Sequence, residues 1–108
     1  MVKKRVQNQI ERFKKILLDK NIKYLELWLF GSHARNMDTA NSDVDLLVVF
    51  PNKEIQSYEE KIRLQAQLLG LAGLNGLNFD IIATSQKEFL ENEISPILHQ
   101  IRRYGVRL

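Results

Sequence analysis

Asp43 and Asp45 stand one residue apart, ten residues after a Gly31-Ser32 pair, in the stretch "LFGSHARNMDTANSDVDLLVVF". On a strand, alternate side chains leave from one face, which sets the two Cα atoms about 6.5 to 7 Å apart. Carboxylates that close repel each other, and burying them without a counter-charge forces one to take up a proton. A cation removes the conflict. Hard oxygen donors, with no Cys and with no His in the pair, favour Mg²⁺ or Mn²⁺ over zinc. Asp80 is equally out of place inside the apolar run "NFDIIA", where a lone charge is rarely buried. If its strand lies beside that of Asp45, the three carboxylates form a cluster able to hold two ions about 3.5 to 4 Å apart. One ion activates an attacking hydroxyl and the other steadies a leaving phosphate, which is phosphoryl or nucleotidyl transfer chemistry.

The Gly-Ser pair supplies the other half of such a site. Gly31 ends a strand and lets the backbone approach a phosphate, while the N–H groups and hydroxyl around Ser32 offer donors to its oxygens. Arg35, one helical turn on from Ser32, adds a charge-assisted contact. Each part also has a purely structural explanation. Gly31-Ser32 is a common turn, Asp43 can cap a turn after Ser42, Asp80 can pair with a helix lysine, and Arg35 can pair with Asp38. Asp45 resists this treatment, because aspartate is depleted in strands and here has apolar residues on both sides. The combination in order and spacing is more specific than any member.

Elements able to position these residues can be read from periodicity and punctuation. Val6, Ile10, Phe13 and Leu17 form one helical stripe, so residues from about 2 to 20 should be a helix. "NIKYLELWLF" has apolar side chains for both faces of a strand inside a sheet and stops at Gly31. A short helix can start at "SHAR". The run "VDLLVVF", Val44 to Phe50, is a second strand ended by Pro51-Asn52. Ser57 with Glu60 forms a capping box before Ile62, Ala66 and Leu69, which predicts a helix from about Tyr58 to Leu71. "LNFDIIAT" reads as a third strand, Ser85 caps a short helix through "QKEFLEN", and Ser95-Pro96 opens a last helix that stops near Gly105. The expected architecture is one α/β (α+β) domain over residues 1–108, a small mixed sheet with flanking helices.

The 108 residues leave no room for a separate substrate-binding domain, and there is no cysteine, which excludes disulfides and thiolate chemistry. The charged start "MVKKRVQNQIERFKK" has no apolar signal region and no run approaches a membrane span, so a cytoplasmic, soluble protein is expected. The net charge of +3 is concentrated at the two ends. It reads first as a solvated basic helix face, and second as a surface for a polyanion or an acidic partner. No recognisable nucleic-acid module accompanies it, although nucleic acid is not excluded.

The run "GSHARNMDTANSDVDL" resembles the Gly-Ser, ten residues, Asp-x-Asp signature of the DNA polymerase beta-like nucleotidyltransferase superfamily. With the short length and the "LFGSHAR" start, the chain is similar to the minimal nucleotidyltransferases, or MNT proteins. The motif covers about a fifth of the chain, and the surrounding order of elements agrees over nearly all of it. The resemblance implies the polymerase beta-like fold, with Gly31 and Ser32 holding nucleotide phosphates and Asp43 and Asp45 binding metal. It implies that Asp80, as the third carboxylate, helps deprotonate the attacking hydroxyl, and that Arg35 is the arginine of the Gly-Ser-x-Ala-Arg run. Asn36 stands where the family usually has glycine, and asparagine tolerates the positive φ of such a turn.

Members like this one are commonly encoded beside a small helical HEPN protein, often a toxin, for which they serve as antitoxin. Some transfer AMP from ATP to a tyrosine of that partner. The resemblance therefore implies a metal-dependent transferase using ATP and Mg²⁺ or Mn²⁺, acting on a hydroxyl of a HEPN partner. So small a core leaves few residues to wall in base and acceptor, so a partner or a second copy is expected to complete the pocket. Two alternatives stand beside it: an antitoxin that neutralises its partner by occlusion, and a transferase acting on RNA or a small molecule. His33 is read as exposed, His99 as surface or packing, and Trp28 and Phe30 as core or strand-face residues. Nothing marks Tyr58 or Tyr104 as modified.

Overall fold

Apolar residues alternate on both faces of the central strands, and that alternation fixes a layer of helices on each side. The structure is a computed structural model that describes residues 2–38 and 43–108, so the turn expected at Ser42 lies outside the described residues. The elements run α1 (Lys4–Asp19), β1 (Glu26–Phe30), β2 (Val44–Phe50), a 3₁₀ turn (Asn52–Glu54), α2 (Tyr58–Leu74), β3 (Phe79–Ser85), α3 (Gln86–Glu91), α4 (Pro96–Tyr104) and β4 (Val106–Arg107). They form a four-stranded mixed sheet in the order β3-β2-β1-β4. β1 is antiparallel to both of its neighbours, whereas β2 and β3 are parallel through the α2 crossover.

On one face, Leu46, Val48 and Phe50 of β2 pack with Ile81 and Ala83 of β3, under Phe13 of α1 and Leu68 of α2. On the other, Leu47 and Val49 pack with Phe89 of α3 and with Leu98 and Ile101 of α4. Even and odd positions of β2 thus serve different cores, as a strand period of two requires. Asp45 shares the odd set, which points it to the α3/α4 side.

The α1 stripe of Val6, Ile10, Phe13 and Leu17 is buried as expected. The stripe expected on α2 is not the one buried: Ile62 and Leu69 face solvent, while Leu68 and Ala72 are buried. Apolar residues occur on several sides of this helix, and contact with the sheet selects among them. The capping box forms, with the Glu60 N–H donating to Ser57 Oγ at 3.2 Å. Its reciprocal bond comes from the Gln56 N–H to Glu60 Oε1 at 2.9 Å, one residue earlier than in the simple pattern. Ser57→Ala should therefore lower stability by about 1 kcal/mol, measured by urea unfolding. Gln65 Oε1 accepts the Ala83 N–H at 3.0 Å, which satisfies a donor on the edge strand β3.

Three expectations change. The first strand begins at Glu26 rather than Asn21, because α1 ends in a turn in which the Ile22 N–H donates to Leu17 O and Asn21 takes φ +56°. No helix forms at "SHAR"; Ser32 to Asn36 make a hydrogen-bonded turn, with the Arg35 N–H shared between Gly31 O and Ser32 O and the Met37 N–H donating to Ser32 O. The chain also ends in β4, a two-residue strand that no periodicity can signal. Among the described residues, no helix is long and apolar enough to cross a membrane.

Candidate functional site

At one end of the sheet, the last residue of β1 and the first residues of β2 and β3 meet. Asp45 pairs in register with Phe30 of β1 and with Asp80 of β3. Neighbouring strands lie about 4.8 Å apart, and registered residues on a parallel pair face the same side. The sheet therefore sets the half-buried Asp45 and the exposed Asp80 side by side. Asp43 lies just before β2, and its Oδ1 accepts from Asn78 Nδ2 at 3.0 Å, a contact that ties the start of β2 to the start of β3.

The electrostatics record this crowding. The Asp45 carboxyl is held above its ordinary range, first by burial and then by the charges of Asp80 and Asp43, with His33 pulling the other way. Among the described residues, no group of three or more His, Asp or Glu side chains is arranged to hold a metal ion, so the strands bring together neighbouring carboxylates rather than a preformed coordination sphere. That arrangement suits Mg²⁺ or Mn²⁺. Mg²⁺ commonly binds through one or two carboxylates and completes its shell with water and substrate phosphates.

Gly31 is where the turn meets the carboxylates. Its φ is +76°, and a Cβ added there would lie 2.3 Å from Asp45 Oδ2. Only glycine leaves the carboxylate that room and adopts that backbone without strain. Ser32 follows in the turn, and Asn36 takes φ +56°, the left-handed conformation that asparagine tolerates.

Arg35 does not take Asp38 as its partner in the way the sequence allowed. Asp38 Oδ2 lies 2.6 Å from Lys3 Nζ, and a hydrogen bond from that ammonium is the main reason its carboxyl sits below its ordinary range. The Arg35 guanidinium lies over the Tyr104 ring, 4.9 Å from its centre. His33, expected to be exposed, is 2% exposed. Its Nδ1 lies 3.7 Å from Asp38 Oδ2, so the imidazole is packed under the turn as part of its support.

Beside the turn opens a cavity of about 400 Å³, bounded by Gly31, Ser32 and Arg35 on one side and by Ile97, Gln100 and Tyr104 of α4 on the other. Sequence reasoning missed the contribution of α4, and it missed Asn78. The signals were there: Ile97, Ile101 and Tyr104 fall at the spacing of one helix face, and Asn78 precedes Asp80 by the strand period.

Comparison with known proteins accords with this geometry. The family model of the nucleotidyltransferase domain matches residues 10–104. A Methanocaldococcus jannaschii protein named "Putative protein adenylyltransferase" is 36% identical over 69 residues, which are 64% of this chain and 68% of that protein. A solved structure described as a "putative minimal nucleotidyltransferase" is 28% identical, with a TM-score of 0.55 and 94% of each chain covered. The fold is also that of a chain in the complex of tri-AMPylated Shewanella oneidensis HEPN toxin with MNT antitoxin, at 20% identity and TM-score 0.52, over 94% of this chain and 69% of that one. With the family model spanning nearly its whole length, the chain belongs to the nucleotidyltransferase domain family and is a nucleotidyltransferase.

Proposed function

We propose that this chain, acting as one domain, transfers AMP from ATP to a hydroxyl of a HEPN-type partner protein, in a divalent-metal-dependent reaction. The observation that carries the reading is the registered pair Asp45 and Asp80, set against a glycine that leaves room for the Asp45 carboxylate. The named relative and the HEPN–MNT complex support the protein acceptor and the partner class.

In this reading the acceptor oxygen bonds to the α-phosphorus, the bond to the bridging oxygen breaks, and pyrophosphate leaves while the acceptor proton is removed. Asp43, Asp45 and Asp80 would hold the metal. A bound Mg²⁺ or Mn²⁺ supplies charge stabilisation to the phosphoryl oxygens and lowers the pKa of the attacking hydroxyl. Asp80, the more exposed of the registered pair, stands where an incoming acceptor can be met, and it assists proton removal. Backbone N–H groups and the hydroxyl at Ser32 orient the phosphates, with Arg35 adding positive charge once it turns from the Tyr104 ring. Asn78 fixes the orientation of Asp43.

The test is transfer of label from α-³²P-ATP with Mg²⁺, using the chain co-purified with the protein encoded by its neighbouring gene. Label on the partner, absent for an Asp43→Asn/Asp45→Asn variant that still forms the complex, is the expected result. A stable complex that neutralises the partner equally well with wild type and variant, and carries no label, would replace this reading with inhibition by occlusion.

A further inference from the structure

The cavity between the Gly31-Ser32 turn and α4 is chemically lopsided. One wall is the turn, where Ser32 and Arg35 supply polar groups and Gly31 lies against the Asp45 carboxylate. The opposite wall is a single face of α4, formed by Ile97, Ile101 and Tyr104 at spacings of four and three, with Gln100 among them. The size of about 400 Å³ lies within the range of small-molecule sites, about 300 to 1,000 Å³. Ile97, Tyr104 and the neighbouring Met37 remain exposed at its rim, Tyr104 by 48%. The Arg35 and Arg103 guanidinium groups lie 4.9 Å and 5.4 Å from the centre of the Tyr104 ring, both within cation–π range.

We propose that this groove seats the purine base of the donor nucleotide, and that Gln100 selects adenine over guanine. The inference rests on the transferase reading above, which places phosphates at Ser32. A purine has apolar faces and a hydrogen-bonding edge, matching an apolar slot with one amide in it. A glutamine amide offers one acceptor and two donors. It therefore satisfies the N6 amino group and N7 of adenine together, whereas guanine presents two acceptors, O6 and N7, along the same edge. Ser32 and Arg35 then lie toward the phosphates and Gln100 toward the base. The chain itself then supplies one wall of a pocket that its small size had suggested a partner or a second copy would complete.

Calorimetric titration of the full chain with ATP and with GTP, each with Mg²⁺, tests the assignment without needing an acceptor. Wild type should bind ATP about tenfold more tightly than GTP, the lower end of what a bidentate amide-to-adenine contact discriminates. Gln100→Ala should lose that preference by weakening ATP alone, and Ile97→Trp, which fills the slot from an exposed position, should abolish binding of both. Both variants should melt as wild type does. An unchanged ATP/GTP ratio in Gln100→Ala, equal binding of the two by wild type, or no binding of either overturns the proposal. Intact ATP binding by Ile97→Trp with weakened partner association would also overturn it, assigning the groove to the acceptor. The two readings fail separately: binding as described without label transfer removes the transferase and keeps the base site, whereas transfer that survives Ile97→Trp removes the base site and keeps the transferase.

Discussion

Asp45→Asn should leave a protein that transfers no measurable label yet unfolds at a higher temperature than wild type. The loss of transfer should exceed about a hundredfold, since even residues that only orient a metal ligand commonly cost about 10- to 100-fold. The gain in stability follows from the position of Asp45 between Asp80 and Asp43, half-buried and with its carboxyl held above the ordinary range. A carboxyl with a raised folded-state pKa favours the folded state while it carries its proton. That contribution is complete below the unfolded-state value and is lost as pH rises through the folded-state value. At pH 7 wild type bears the full penalty of an ionised Asp45, and the neutral amide does not. Removing such a penalty commonly stabilises by about 0.5–2 kcal/mol.

Thermal melts in a chelating buffer from pH 3 to 8 separate this from a general effect of the substitution. The difference in melting temperature should be small at the acid end and grow to its full size by neutral pH. A variant less stable than wild type at pH 7, or a difference that does not vary with pH, would remove repulsion among the carboxylates from the account. Added Mg²⁺ should narrow the gap by stabilising wild type only, because binding to the folded state alone raises its stability.

Gly31→Ala should damage the same site by geometry alone. Its φ of +76° disfavours any Cβ, and the new methyl would sit 2.3 Å from Asp45 Oδ2. The left-handed conformation costs a non-glycine residue about 1–3 kcal/mol where neighbours enforce it. Either the turn or the carboxylate must then move. A displacement of about 1 Å at a reacting centre commonly costs about a hundredfold in rate, so transfer should fall by that order although every charged group remains. Gly70→Ala is the matched control. Gly70 lies in α2 with nothing within 4 Å of an added Cβ, so alanine there should stabilise by about 0.5–1 kcal/mol and leave transfer unchanged. If Gly31→Ala kept both stability and transfer, the close approach between turn and carboxylate would have no functional weight.

Much of this molecule was legible in the chain because it is encoded locally. The α1 stripe, the strand Val44–Phe50, the caps at Ser57, Ser85 and Ser95, and the proline opening α4 all depend on residues within one or two turns of each other. The aspartates and the Gly-Ser pair were legible for another reason: charges within apolar runs, and a glycine at a strand end, are costly unless something uses them. That argument names candidates and a chemistry without placing them.

Placement was decided by tertiary structure. Register between β2 and β3 depends on matching buried faces over their whole length, and it alone puts Asp45 beside Asp80. α2 carries apolar residues on several sides, so its buried face was chosen by the sheet, leaving Ile62 and Leu69 outside. His33 is buried beside Asp38, which pairs with Lys3, a residue far away in sequence, and no local pattern reports such a contact. The groove on α4 arises where the chain's last helix folds back across the end of β1. The sequence by itself determined which residues are candidates for the chemistry, because charge and backbone preference are local properties. Only the packed fold decided which of them meet, because that is a property of distant segments buried together.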